Sequence, residues 1–153
     1  MTKHFLCSFL MIMLYGSPNY HTTTLGAADK VCGKWECDEK NLVIQVYREE
    51  GEFKAKIVWF DARDDSKPLD YWTDDKNPNP ALRSRKILGM NVLEKLSYNP
   101  ATNTWEDGMI YDAKHGRLWN SSAYIDKDGL LKVKGYWHFK FIGRTLTFKR
   151  ISL

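Results

Sequence analysis

Three groups of residues in this chain have the types and spacing to do chemistry. Tyr111-Asp112 stands immediately before the turn Ala113-Lys114-His115-Gly116. A carboxylate there can act as a general base or anchor a ligand. It can equally cap the turn through its own side chain. Arg83, Arg85 and Arg144 form the second group. Guanidinium forks match carboxylate and phosphate heads in two-point geometry, so the three together could hold an anion. The alternative is that they tie a long polar segment to the fold through Asp75, Asp112 or backbone carbonyls. Trp59, Trp119 and Tyr136 are the third group. They either line a ligand cavity or fill the core, where most aromatics of a small domain go.

Other chemistries lack their residues. There is no Gly-x-Ser-x-Gly, and no Ser or Cys with a plausible His base. Glu106 and Asp107 are neighbours on an extended stretch, so they are expected to point to opposite faces and not to cooperate as acid and base. No phosphate loop is present, and no cofactor is implied. Cys32 and Cys37 have no matching second pair, which argues against a metal site. A disulfide between them needs Cα atoms within about 7 Å, whereas five extended residues span roughly 16 Å. The formal net charge is +4. Lys and Arg alternate with Asp and Glu, whereas nucleic-acid binding wants a basic stripe, so no nucleic-acid partner is expected. Enzymatic activity is therefore the weaker reading. Its best form is a hydrolase using Asp112 with Arg144.

The elements that must position these residues are strands. From Trp35 onward the chain alternates in short stretches broken by turn residues, with no convincing helix. Leu42, Ile44 and Val46 share a face, as do Phe53, Ala55, Ile57 and Trp59, with Glu49-Glu50-Gly51 as the hairpin turn between them. Leu88, Met90 and Val92 form a third stripe. Trp105 to Tyr111 follows, with Gly108 marking a bulge or a close backbone approach. Then come Trp119, Ser121, Ala123 and Ile125, the stripe Leu131, Val133, Gly135 and Trp137, and finally Leu146 and Phe148. Turns every ten residues or so predict an all-β fold: an up-and-down antiparallel barrel of about eight strands, closed so that no edge is left open.

Residues 61–86 break this rhythm. They are polar and contain Pro68, Pro78 and Pro80. A connection this long in a compact domain is usually functional or folds as its own unit. Asn79 and Pro80 predict the cap and first residue of one short helical turn. The segment is expected over one barrel mouth as a lid or plug.

At the other extreme, Lys3 and His4 precede the apolar run Phe5–Leu14, and small residues follow at Gly26, Ala27 and Ala28. That is the pattern of a cleaved export signal over residues 1–28. The run is too short to span a bilayer. Residues 29–153 are then a single barrel domain with a net charge of about +3, secreted or periplasmic, without stable membrane insertion.

Four separated motifs carry a resemblance. They are Gly33-Lys34-Trp35, the run from Asp74 to Arg85 (Asp-Asp-Lys-Asn-Pro-Asn-Pro-Ala-Leu-Arg-Ser-Arg), Trp105-Glu106-Asp107-Gly108-Met109-Ile110-Tyr111-Asp112, and Leu131-Lys132-Val133-Lys134-Gly135-Tyr136 followed by Gly143-Arg144-Thr145. Together and in this order they resemble the secreted bacterial family known as domain of unknown function 2147, over nearly all of residues 29–153. The resemblance implies a lipocalin-type, or calycin, barrel. It also implies that Gly33, Trp35 and Arg150 pack together at the closed end as a structural plug. Lys86 stands where the family commonly has Pro, and Trp137-His138-Phe139-Lys140-Phe141 is bulkier and more basic than its usual linker.

The functional expectation is a barrel that binds a small lipophilic or amphipathic ligand under the 61–86 segment. The residues expected to take part are Trp59, Arg83, Arg85, Tyr111, Asp112, Trp119, Tyr136 and Arg144. The alternative is a cell-envelope module with a filled barrel that engages a protein or glycan through its surface.

Overall fold

The computed structural model describes residues 26–152, so the expected export signal falls almost wholly outside them. Eight strands follow one another: β1 (Gly33–Cys37), β2 (Leu42–Glu49), β3 (Glu52–Phe60), β4 (Asn91–Asn99), β5 (Thr104–Asp112), β6 (Arg117–Ile125), β7 (Leu131–Tyr136) and β8 (Gly143–Ile151). Each pairs antiparallel with the next, and β8 returns to β1, closing the barrel. Closure satisfies every strand edge, which is why so many short alternating segments can coexist without a helix to cover them.

Period-two alternation places Trp35, Phe53, Trp105, Leu131 and Phe148 inside, all essentially buried. Four register shifts interrupt it, one on β3, two on β4 and one on β5, and they re-aim side chains. Ile44 pairs with Ile57, but Val43 pairs with Trp59, so Val58 is an extra residue on β3. Beyond it the faces exchange: Phe60 packs against the core, and Trp59 turns outward, 40% exposed. The expected inward position of Trp59 is corrected by that one residue. On β4 and β5, Lys95 and Asp107 adopt left-handed backbone, with φ of 63° and 58°. Leu93 and Leu96 are therefore both buried, as are Trp105 and Gly108. Met90 and Val92 do reach the core, but Leu88 is left in the connection ahead of β4.

The β5 bulge also overturns the expected split of Glu106 and Asp107. Both lie between inward Trp105 and inward Gly108, and both lie on the outer side near Lys140. Gly108 itself meets both of its sequence-level readings. It sits at the bulge, and a Cβ there would lie 2.7 Å from Ser121 Oγ and 2.7 Å from Leu96 Cγ.

One end of the barrel is plugged. A 3-10 turn, Ala27–Val31, is held by two indole N–H groups: Trp35 donates to the Val31 carbonyl at 2.8 Å and Trp105 to the Ala28 carbonyl at 3.0 Å. The Arg150 guanidinium lies 4.1 Å from the centre of the Trp35 ring and donates to the Cys32 and Lys30 carbonyls. Gly33, at φ 135°, leaves the space this guanidinium occupies. Cys32 and Cys37 are free thiols at the two ends of the extended β1 stretch, and burial pushes both thiols above their ordinary range.

Candidate functional site

In a meander, alternate connections lie at the same end. The β1–β2, β3–β4, β5–β6 and β7–β8 connections therefore surround the end opposite the plug. The 61–90 connection is the longest, and it is tied by one carboxylate. The Asp74 side chain is 0% exposed and accepts three hydrogen bonds: from Asn77 Nδ2 at 2.7 Å, Arg85 Nη2 at 2.8 Å and the Tyr111 hydroxyl at 2.7 Å. The Arg85 guanidinium also stands 5.7 Å from the Tyr111 ring centre. Arg83 Nε donates to the Asn77 carbonyl at 2.8 Å. A bridge between Thr73 and Lys86 closes the neck of this sub-loop. Asn79 caps the 3-10 turn Pro80–Leu82, accepting from the Ala81 N–H at 3.1 Å, as the sequence predicts.

Burial and the hydrogen bond to Asp74 push the Tyr111 phenol up to about 12. Tyr111 pairs with Leu118, on the face opposite inward Ile110, so the fastening point is the rim of β5. Gly116, at φ 63°, seals the other side. A Cβ there would overlap the Lys76 carbonyl.

The residues expected to act together are thus separated. Arg83 and Arg85 hold the sub-loop, through Asn77 and Asp74 rather than Asp75 or Asp112. Arg144 pairs with Glu39 of the β1–β2 turn at 3.2 Å, away from both. An anion cluster of the three does not form. Asp112 caps its turn, accepting from the Lys114 N–H at 3.0 Å and contacting His115 Nδ1 at 2.7 Å. Tyr136 pairs with outward Asn120 and with Gly143, so it lies on the outer face rather than in the interior, although it is buried. Its strand position is one off the inward set Leu131, Val133 and Gly135. Of the expected aromatic trio, only Trp119 points inward, above Gly135.

Trp119 meets the Trp137 ring edge-on at 5.6 Å. Beside them runs an open groove of about 500 Å³, lined by Gly116, Arg117, Leu118, Trp119 and Trp137. Arg117 forms no ion pair among the described residues. A second cleft of about 250 Å³ lies on the outer surface by Glu36, Lys40 and Lys149. Both are open to solvent, and the lower barrel is packed with Trp35, Phe53, Trp105 and Phe148. Sequence reasoning passed over Arg117. The available signal was its place directly after the Gly116 turn, where a side chain starts a strand at the rim.

Arranged this way, the rim offers an aromatic wedge with an uncommitted cation beside it. Asp74 has no such freedom, because three donors already occupy its oxygens.

Comparison with solved structures finds a similar barrel in a protein described as "Protein HP1028 from the human pathogen Helicobacter pylori belongs to the lipocalin family". The match has a TM-score of 0.68 and 24% identity, and covers 84% of this chain and 85% of that one. It shows the lipocalin-like fold. No curated protein matches the chain significantly. A family model described as "Uncharacterized protein conserved in bacteria (DUF2147)" matches residues 33–150, from the Gly33 of the floor to the Arg150 that packs against it. The chain belongs to that bacterial family.

Proposed function

We propose that this is an exported protein that holds a small amphipathic molecule at the open end of its barrel. The apolar part lies against Trp119 and Trp137, and an anionic head sits at Arg117. The observation that carries this reading is the groove of about 500 Å³ between those residues. Its size suits a small ligand, and the unpaired guanidinium beside it supplies a two-point partner for a carboxylate or phosphate. The lipocalin-like fold adds to this only by analogy. In this reading the packed lower barrel directs the ligand to the rim, and Arg83, Arg85 and Tyr111 act by fixing the sub-loop rather than by touching the ligand.

Protein recovered from its own host tests this directly. Native mass spectrometry is expected to show a retained small molecule, and intact mass to show loss of the N-terminal segment. Titration with a long-chain fatty acid is expected to change tryptophan fluorescence, with affinity falling about tenfold in Trp119→Ala and in Arg117→Ala, as for loss of one good contact. A protein with no retained mass and no response to the fatty acid overturns the reading.

A further inference from the structure

The β7–β8 connection exposes what a folded domain ordinarily hides. Trp137, Phe139, Phe141 and Ile142 are 58%, 59%, 78% and 61% exposed in a span of six residues. Phe139 and Phe141 stack on each other at 5.4 Å, and Trp137 and His138 meet at 5.6 Å. Lys140 is drawn back onto Glu106, while Phe141 and Ile142 stand free. Burying each such side chain is favourable, and this fold forgoes that gain at four of them. Polar residues would serve a six-residue connection as well, so folding alone does not explain their presence.

The last two strands are rich in cations, of which Lys132, Lys149 and Arg150 lie toward the plugged end, while Lys140 and Arg144 beside the tip are paired with Glu106 and Glu39. From Gly129 to Leu153 the chain carries Lys132, Lys134, Lys140, Arg144, Lys149 and Arg150, and no Asp or Glu. Among the described residues, Lys134 and Lys149 form no ion pair, nor does Arg117 next to Trp137. A tip of Trp, Phe and Ile flanked by the unpaired cations Arg117 and Lys134 fits one kind of partner. Aromatic rings settle at the headgroup level of a bilayer, and Lys and Arg reach anionic phosphates at its surface. A protruding tip buries its whole perimeter in lipid, whereas a protein partner would have to supply a matching pocket.

We infer that the 137–142 tip docks the barrel onto an anionic membrane surface, with Trp137, Phe139, Phe141 and Ile142 entering the interface. This is peripheral binding. No helix among the described residues is long and apolar enough to cross a membrane, and none is needed. The inference stands whether or not the neighbouring groove holds a ligand.

The test uses the full chain and vesicles of phosphatidylglycerol and phosphatidylcholine whose acyl chains carry bromine near the headgroup. All six Trp lie at or after Trp35, so quenching reports on the barrel and not on the N-terminal segment. Strong quenching is expected, with most of it lost in Trp137→Phe, which removes the reporter at the tip. A Phe139→Ser/Phe141→Ser variant is expected to need about tenfold more lipid for half-quenching, with its thermal midpoint unchanged. Vesicles of phosphatidylcholine alone, or added salt, are expected to weaken binding. Absence of quenching in the unaltered chain overturns the inference, as does quenching that the double variant leaves unchanged. A dimer that the double variant dissolves, without any quenching by lipid, assigns the tip to a second copy instead and overturns it too.

Discussion

The hydroxyl of Tyr111 donates to the carboxylate of Asp74 across 2.7 Å, joining residues 37 apart in the chain. With the Arg85 guanidinium over the Tyr111 ring, this contact fastens the Asp74–Arg85 sub-loop to the rim of β5. Because Asn77 and Arg85 fill the remaining acceptor sites, the carboxylate is fully buried yet fully paired. A buried charge survives only under that condition.

Removing the charge leaves its partners stranded. Asp74→Ala is expected to destabilise the protein by about 3–5 kcal/mol, and Tyr111→Phe by about 1.5–3 kcal/mol. Urea unfolding followed by far-ultraviolet circular dichroism reads both. A loss under 1 kcal/mol for Asp74→Ala means that the sub-loop is not held this way.

The fastening has a defined alkaline limit. The Tyr111 phenol is held neutral up to about 12 by burial and by its bond to Asp74, against an ordinary value of about 10. The folded state keeps this proton longer than the unfolded chain does. Its contribution is therefore complete below pH of about 10 and disappears as pH rises through about 12. Absorbance titration near 295 nm is expected to show one late-titrating phenol that Tyr111→Phe removes.

Arg150 is expected to matter more than an exposed side chain should. Arg150→Ala removes the cation over the Trp35 ring and the donors to Cys32 and Lys30, a cost of about 1–3 kcal/mol. Arg150→Lys is expected to recover little, because a compact ammonium cannot stack on the ring and reach two carbonyls at once. Thermal unfolding of both variants decides the point.

Gly108→Ala is expected to cost about 1–3 kcal/mol by overpacking, since the new methyl would press on the Leu96 side chain and Ser121 Oγ inside the barrel. Gly108→Ala combined with Ser121→Gly should recover part of that loss, because one of the two obstructing groups is gone. Chemical denaturation of the single and double variants measures the coupling.

Local sequence determined the class of fold and much of its punctuation. Alternation of apolar residues with turns at regular spacing demands strands, and strands in this number demand closure. The Gly51 turn, the Asn79 cap and the Gly108 bulge all follow from chemistry within a few residues of each position. The floor of Gly33, Trp35 and Arg150 was legible through family motifs, because its partners sit on the first and last strands of a fixed topology.

Only the tertiary structure decided what each side chain meets. One extra residue at Val58 sent Trp59 outward, and parity placed Tyr136 on the outer face, although both sit in stretches that read as apolar. Arg83, Arg85 and Arg144 are chemically alike in sequence, yet one serves a carbonyl, one a buried carboxylate and one a surface Glu39. Their partners are distant along the chain or set by how a loop folds back on itself. A strand's period fixes a face only until a bulge intervenes, and a charge has no role until closure of the barrel brings a partner within reach.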